Sequence, residues 1–172
     1  MNLNPILPLL GFQLVWLACA FGAARDLPWP GLAAAALMLA LYLRGTDDRK
    51  PATIVILAAA ALGFAVETAM VANQWLRYGA AWPSATFAPA WIVGLWAAFG
   101  ATLKVTDAML GERRLLAAAL GFLLAPVAYF AGAQLGALSI SVPQWSGYLV
   151  IAFVWACAWP ALLILHAKLR PR

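Results

Sequence analysis

The chain has 172 residues, of which 66% are hydrophobic and 10% charged, with a mean hydropathy of +0.89. A soluble domain carries about 25% charged residues, so an ordinary water-soluble fold is excluded. The net charge of +5 sits in short clusters between apolar runs, a pattern that orients a membrane protein rather than one that grips nucleic acid.

The length leaves room for five or six spans of about twenty residues and for no separate soluble domain. One transmembrane domain over residues 1–172, an all-α polytopic helical bundle, is therefore expected. The first five residues carry no positive charge, and no Ala-x-Ala-like site leads into a soluble chain, so the first run, 5–24, reads as a retained span rather than a cleaved signal. Asn4 is its candidate cap and Pro5 falls in its first turn. The second run, 29–43, opens with Pro28 and Pro30 and, at about 1.5 Å per residue, barely reaches across a ~30 Å core. A charged turn, 44–50, leads into a third helix, 52–73. The connection 74–86 holds Trp75, Tyr78 and Trp82, amphipathic rings of the kind that gather at a membrane surface. A fourth span, 88–105, carries its helix on to Leu110, with Gly111 as the stop. The fifth, 114–137, contains Pro126; after a short polar loop, 138–144, the sixth, 145–166, contains Pro160 and ends in a basic tail.

Six spans put nine of the eleven Lys and Arg on one side and leave Arg25 and Arg77 on the other. Positive charge stays inside, so both termini are expected in the cytoplasm of a bacterial inner membrane. Charge alone does not choose between five and six spans, because dropping 29–43 moves only the N-terminal segment and Arg25. The charged turn after this run and Trp29 at its other end favour six.

Glu67 interrupts the apolar stretch 54–73. It lies roughly 24 Å into its helix, toward the outer leaflet, where a carboxyl group facing lipid is costly and must instead meet the bundle interior, a partner or water. Gly63, Phe64, Met70 and Gln74 share its helical face. Two readings follow: a structural acid that hydrogen-bonds a neighbouring helix, or a group that contacts a ligand or handles a proton. Counting residues along each span places Tyr129, Trp91, Trp96 and Tyr148 near the same depth, Gln134 higher, and Gln13 and Trp16 near the midplane. Convergence of these faces would build a polar pocket walled by aromatic rings; the alternative is an interfacial aromatic belt with core packing. Freed carbonyls at Phe122 and Ala156, four residues before Pro126 and Pro160, could also line such a pocket.

Ala128, Gly132 and Gly136 recur every fourth residue and, with Gly63, are the candidate close-packing positions, within one chain or between two copies. Lys104 and Asp107 read as a solvated i,i+3 pair. Cys19 and Cys157 read as small buried hydrophobes. His166 is the single histidine, so a histidine-rich metal site and a Ser-His pair inside the membrane are excluded. Asp47-Asp48 is an isolated loop pair, and no glycine-rich phosphate loop is present. No metal and no cofactor are expected.

Several segments resemble a family of bacterial inner-membrane proteins known as a domain of unknown function. They are Phe12-Gln13-Leu14-Val15-Trp16, the acid of Gly63-Phe64-Ala65-Val66-Glu67-Thr68, Ala88-Pro89-Ala90-Trp91 leading to Leu95-Trp96-Ala97-Ala98-Phe99 and Thr102-Leu103, and Pro126-Val127-Ala128-Tyr129-Phe130-Ala131-Gly132 with Leu135-Gly136-Ala137. The resemblance spans most of the chain and implies a multi-pass membrane protein, with no activity to transfer. The reading that follows is a bundle that binds or passes a small or lipophilic molecule at an outer-leaflet pocket around Glu67, with Gln13, Trp16, Trp91, Trp96, Tyr129 and Gln134 in contact. The alternatives are an accessory subunit docking a partner or second copy through the Gly132/Gly136 face, and a lipid-modifying enzyme using Glu67 as acid or base beside Tyr129.

Overall fold

The computed structural model describes residues 6–141 and 143–169; the expected Asn4 cap, Pro5 in the first turn and the tail charges Arg170 and Arg172 lie outside them. Six helices form in the order α1 Leu7–Ala23, α2 Trp29–Gly45, α3 Arg49–Ala72, α4 Ala90–Leu110, α5 Arg114–Gln134 and α6 Gln144–Lys168. Between α3 and α4 lies the strand β1 Leu76–Tyr78, and between α5 and α6 the strand β2 Leu138–Ile140. Helices α3 to α6 are each long and apolar enough to cross a membrane. Helices α1 and α2, with 17 residues each, reach about 25 Å. The chain is an all-α helical membrane bundle. Leu14, Leu37, Leu57, Leu123 and Phe153 point outward from it, an apolar perimeter that suits lipid and not water.

Helix α4 is the axis of the bundle. Its most apolar stretch is 61% buried, against 33% or less in the other three long helices, and it packs on α1, α2, α3 and α6. Its sequence explains this: Ala97, Ala98, Gly100 and Ala101 give it slim faces, and Trp91, Trp96 and Phe99 fill the spaces between neighbours. Helices α5 and α6 form the most intimate pair. They approach at Gly121, where an added Cβ would lie 2.5 Å from the Trp155 carbonyl oxygen.

Three expectations change. The connections 74–86 and 138–144 are not simple loops, because each contributes a strand, paired antiparallel with Leu76 opposite Ile140 and Tyr78 opposite Leu138. Three-residue strands carry too few positions for alternation to show in sequence. Helix α5 stops at Gln134 rather than 137, and Gly136 turns the chain with φ +85°, so Ala128, Gly132 and Gly136 do not form one helical strip. Gly132 is covered by the Leu138 side chain of β2, 3.4 Å from where its Cβ would be. Finally, Asp107 is buried at 3% exposure and pairs with Arg114 at 2.6 Å, because the short turn after Gly111 folds α5 back beside it; it is not a solvated partner of Lys104.

Gly121→Ala should destabilise the protein by about 1–3 kcal/mol, the usual cost of overpacking, since the obstacle is backbone and α5 must shift away from α6. Thermal unfolding in detergent, followed by circular dichroism, checks this, and Gly94→Ala, where a Cβ meets only ordinary contacts, serves as the control.

Candidate functional site

Glu67 is wholly buried and is met from three elements. Trp96 of α4 donates its indole N–H to Oε1 at 2.9 Å, Tyr129 of α5 donates its hydroxyl to the same oxygen, and Tyr78 of β1 donates to Oε2 at 2.5 Å. Among the described residues the carboxyl group forms no ion pair. Phenol and indole donors, in place of lipid or water, satisfy it. Gly63, one turn before Glu67, makes room for this: a Cβ there would collide with the Trp96 ring. The expected close approach at Gly63 is therefore to a side chain rather than to a neighbouring backbone.

The same cluster fastens the connection between α3 and α4. Tyr78 belongs to a segment that is also held by Trp91, whose Nε1 donates to the Gly79 carbonyl at 3.1 Å. Asp26 accepts from the Ala80 N–H at 2.9 Å, and Thr68 accepts from the Ala88 N–H at 3.1 Å. The connection between α3 and α4 is thus pinned to α3, to α4 and to the turn between α1 and α2 at four points.

Beside this cluster a cavity of about 460 Å³ opens sideways between α1 and α5. Its floor is aromatic: Trp96 stacks on Trp155 with centroids 4.3 Å apart, and Phe99 meets Trp155 and Trp159 edge-on at 5.0 and 5.4 Å. Phe12, Gln13 and Trp16 of α1 form one wall, and Leu124, Ala128 and Tyr129 of α5 the other. Among the described residues, none that lines it is charged. Five of the nine tryptophans, Trp16, Trp91, Trp96, Trp155 and Trp159, border this space. An interfacial belt suits the exposed Trp29, Trp82 and Trp145 instead.

Of the seven candidate contact residues, Gln13, Trp16, Trp91, Trp96 and Tyr129 line the cavity. Glu67 does not: α3 lies behind α4, and the Trp96 and Tyr129 side chains stand between the acid and the open space. Gln134 is exposed and does not line this cavity, because five helical residues from Tyr129 turn it about 140° away. Gln74 leaves the helix with φ +59°, so it does not extend a polar line from Glu67. Sequence reasoning missed Tyr78, which it took for an interfacial ring, since its position depends on the chain reversing after Gln74. It also missed Trp155 and Trp159, although their i,i+4 spacing on α6 was a readable signal of one aromatic face. Among the described residues no group of His, Cys, Asp and Glu is placed to hold a metal ion.

Fold and site together define a helical membrane bundle with a lateral aromatic cavity, uncharged among the described residues and backed by a buried acid. The chain belongs to the family described as protein of unknown function (DUF2878), whose family model matches residues 5–161. No curated protein and no solved structure matches it.

Glu67→Leu should cost several kcal/mol, because it strands three buried donors at about 1–3 kcal/mol each. Glu67→Gln keeps an acceptor for Trp96 and Tyr129 and should lose much less. Unfolding temperatures of the two variants in one detergent test the order, and equal losses would refute the donor count.

Proposed function

We propose that the protein binds an uncharged lipophilic molecule in the lateral cavity. One observation supports this above others: a space of about 460 Å³, within the range of small-molecule sites, is walled by aromatic rings and by no charge. An ion would meet no counter-charge there, and burying it unpaired would be costly. A flat or branched apolar molecule would gain stacking on Trp96 and Trp155 and would enter from the bilayer through the gap between α1 and α5 without crossing water. In this reading Glu67 is not a ligand contact. It holds Trp96 and Tyr129 in place, and its partner Tyr78 couples the cavity to the outer strand pair.

The probe is the methyl ester of 4'-bromobiphenyl-4-carboxylic acid, a rigid, uncharged quencher of indole fluorescence, added to protein in detergent. Quenching that saturates, and that Ala128→Phe weakens severalfold by filling the space, is expected; the charged free acid should quench less. Linear quenching, identical in both proteins, would sink the proposal. We further infer placement in a bacterial inner membrane with both termini cytoplasmic, on the nine-to-two charge bias. In whole cells Ala85→Cys should react with a membrane-impermeant maleimide, and Asp47→Cys only after permeabilisation.

A further inference from the structure

A second cavity, of about 400 Å³, lies at the end of the bundle away from the strand pair, where the last turns of α2, α4 and α6 meet the start of α3. Its character is opposite to that of the first. Asp48 and Lys104 both face it, yet they do not close on each other: the one salt bridge among the described residues is Arg114–Asp107. Thr46 lines the same space, is 8% exposed, and its hydroxyl has no hydrogen-bond partner. Two opposite charges held apart, with an unused buried hydroxyl beside them, form a site whose needs no single ion meets. A simple anion drawn to Lys104 would be repelled by Asp48, and a simple cation drawn to Asp48 would be repelled by Lys104. A molecule carrying both charges a few bonds apart would satisfy both. Leu41 and Met109, neighbours in sequence of lining residues Tyr42 and Ala108, are exposed apolar side chains, so apolar surface continues outward from the mouth.

We propose that this cavity holds a phosphate-plus-ammonium zwitterion, the headgroup of an ethanolamine phospholipid or a free molecule of the same chemistry. Lys104 takes the phosphate, Asp48 takes the ammonium, and the Thr46 hydroxyl donates to a phosphate oxygen. The surrounding end of the bundle, with Arg44, Arg49, Lys50, Arg113 and Arg114, draws lipid phosphates toward it. The site is independent of the lateral cavity and of the function proposed for it.

Purified full-length protein in detergent, given equal amounts of dioleoyl phosphatidylethanolamine and dioleoyl phosphatidylglycerol, is read by native mass spectrometry. One ethanolamine lipid should be retained in about tenfold preference, the worth of one charge-assisted hydrogen bond. Asp48→Asn should erase the preference, Lys104→Gln should lower retention of both lipids, and Thr46→Val should weaken the ethanolamine adduct. Asp48 and Lys104 are exposed, so their variants should keep the helix content seen by circular dichroism. Glycerophosphoethanolamine then separates the sources: displacement of the lipid marks a site for the free zwitterion, and no displacement marks the lipid itself. Equal adducts of the two lipids, or a preference that Asp48→Asn and Lys104→Gln leave unchanged, overturns the proposal.

Discussion

A carboxyl group in hydrocarbon must find its hydrogen bonds within the protein, and Glu67 finds three, from Trp96, Tyr129 and Tyr78. No cation takes part among the described residues, so the donors are neutral groups of fixed direction. That requirement is exacting: α3, α4, α5 and β1 must all stand at the distances the donors demand. Removing one member leaves others buried without partners, which makes the penalty asymmetric. Much of the arrangement at the strand-pair end of the bundle follows from this single point of convergence, including Gly63, which can be no larger while Trp96 passes over it.

The placement of the aromatic rings continues the same logic. Trp96 is held at its nitrogen by Glu67, and its ring face then carries Trp155. Phe99 and Trp159 extend the row along the inner faces of α4 and α6. Because α4 packs closely on α1, α2 and α3 while touching α5 only slightly, the row is uncovered on one side, and the gap between α1 and α5 becomes a cavity. Stability of the row does not depend on filling that gap, since its edges and faces already contact one another at 4.3–5.4 Å.

Composition and apolar run lengths made the helical membrane bundle legible, and the depth count brought Glu67, Trp96 and Tyr129 to one layer, where the structure joins them. The reason is simple: within a span, rise per residue is constant, so height is readable. Azimuth and chain reversal are not. Gln134, expected above the Glu67 layer, lies on the wrong side of α5, and Tyr78 returns to the core through a turn whose positive φ at Gln74 leaves no glycine to announce it. The strip of small residues failed for a related reason, since Gly136 serves the turn after α5 and Gly132 serves contact with β2. Periodicity alone cannot tell a helix face from a helix end. The burial of Asp107 was hidden in the same way, because its partner Arg114 comes from the next helix and reaches it only through the fold.

Inside a bilayer, moving an apolar ligand from lipid to an apolar cavity gains no hydrophobic free energy, because both surroundings are hydrocarbon. On the proposed reading, a lipophilic ligand of the lateral cavity would compete with acyl chains mainly on packing. Flexible chains lose conformational freedom when they fill a fixed space, whereas a rigid ring loses little and gains face and edge contacts with Trp155 and Phe99 of about 0.5–1.5 kcal/mol each. The aromatic floor would therefore select for rigidity before it selected for any polar group. Polar selection would fall to Gln13, at the exposed mouth of the cavity, and to the indole N–H groups of Trp155 and Trp159, which are buried without a hydrogen-bond partner, because the hydroxyls of Thr102 and Thr106 are already given to the carbonyls of Phe99 and Leu103. On the proposed reading, the ligand shape these walls would favour over the surrounding lipid is a rigid apolar body with uncharged hydrogen-bonding groups that reach Gln13 or the two indoles.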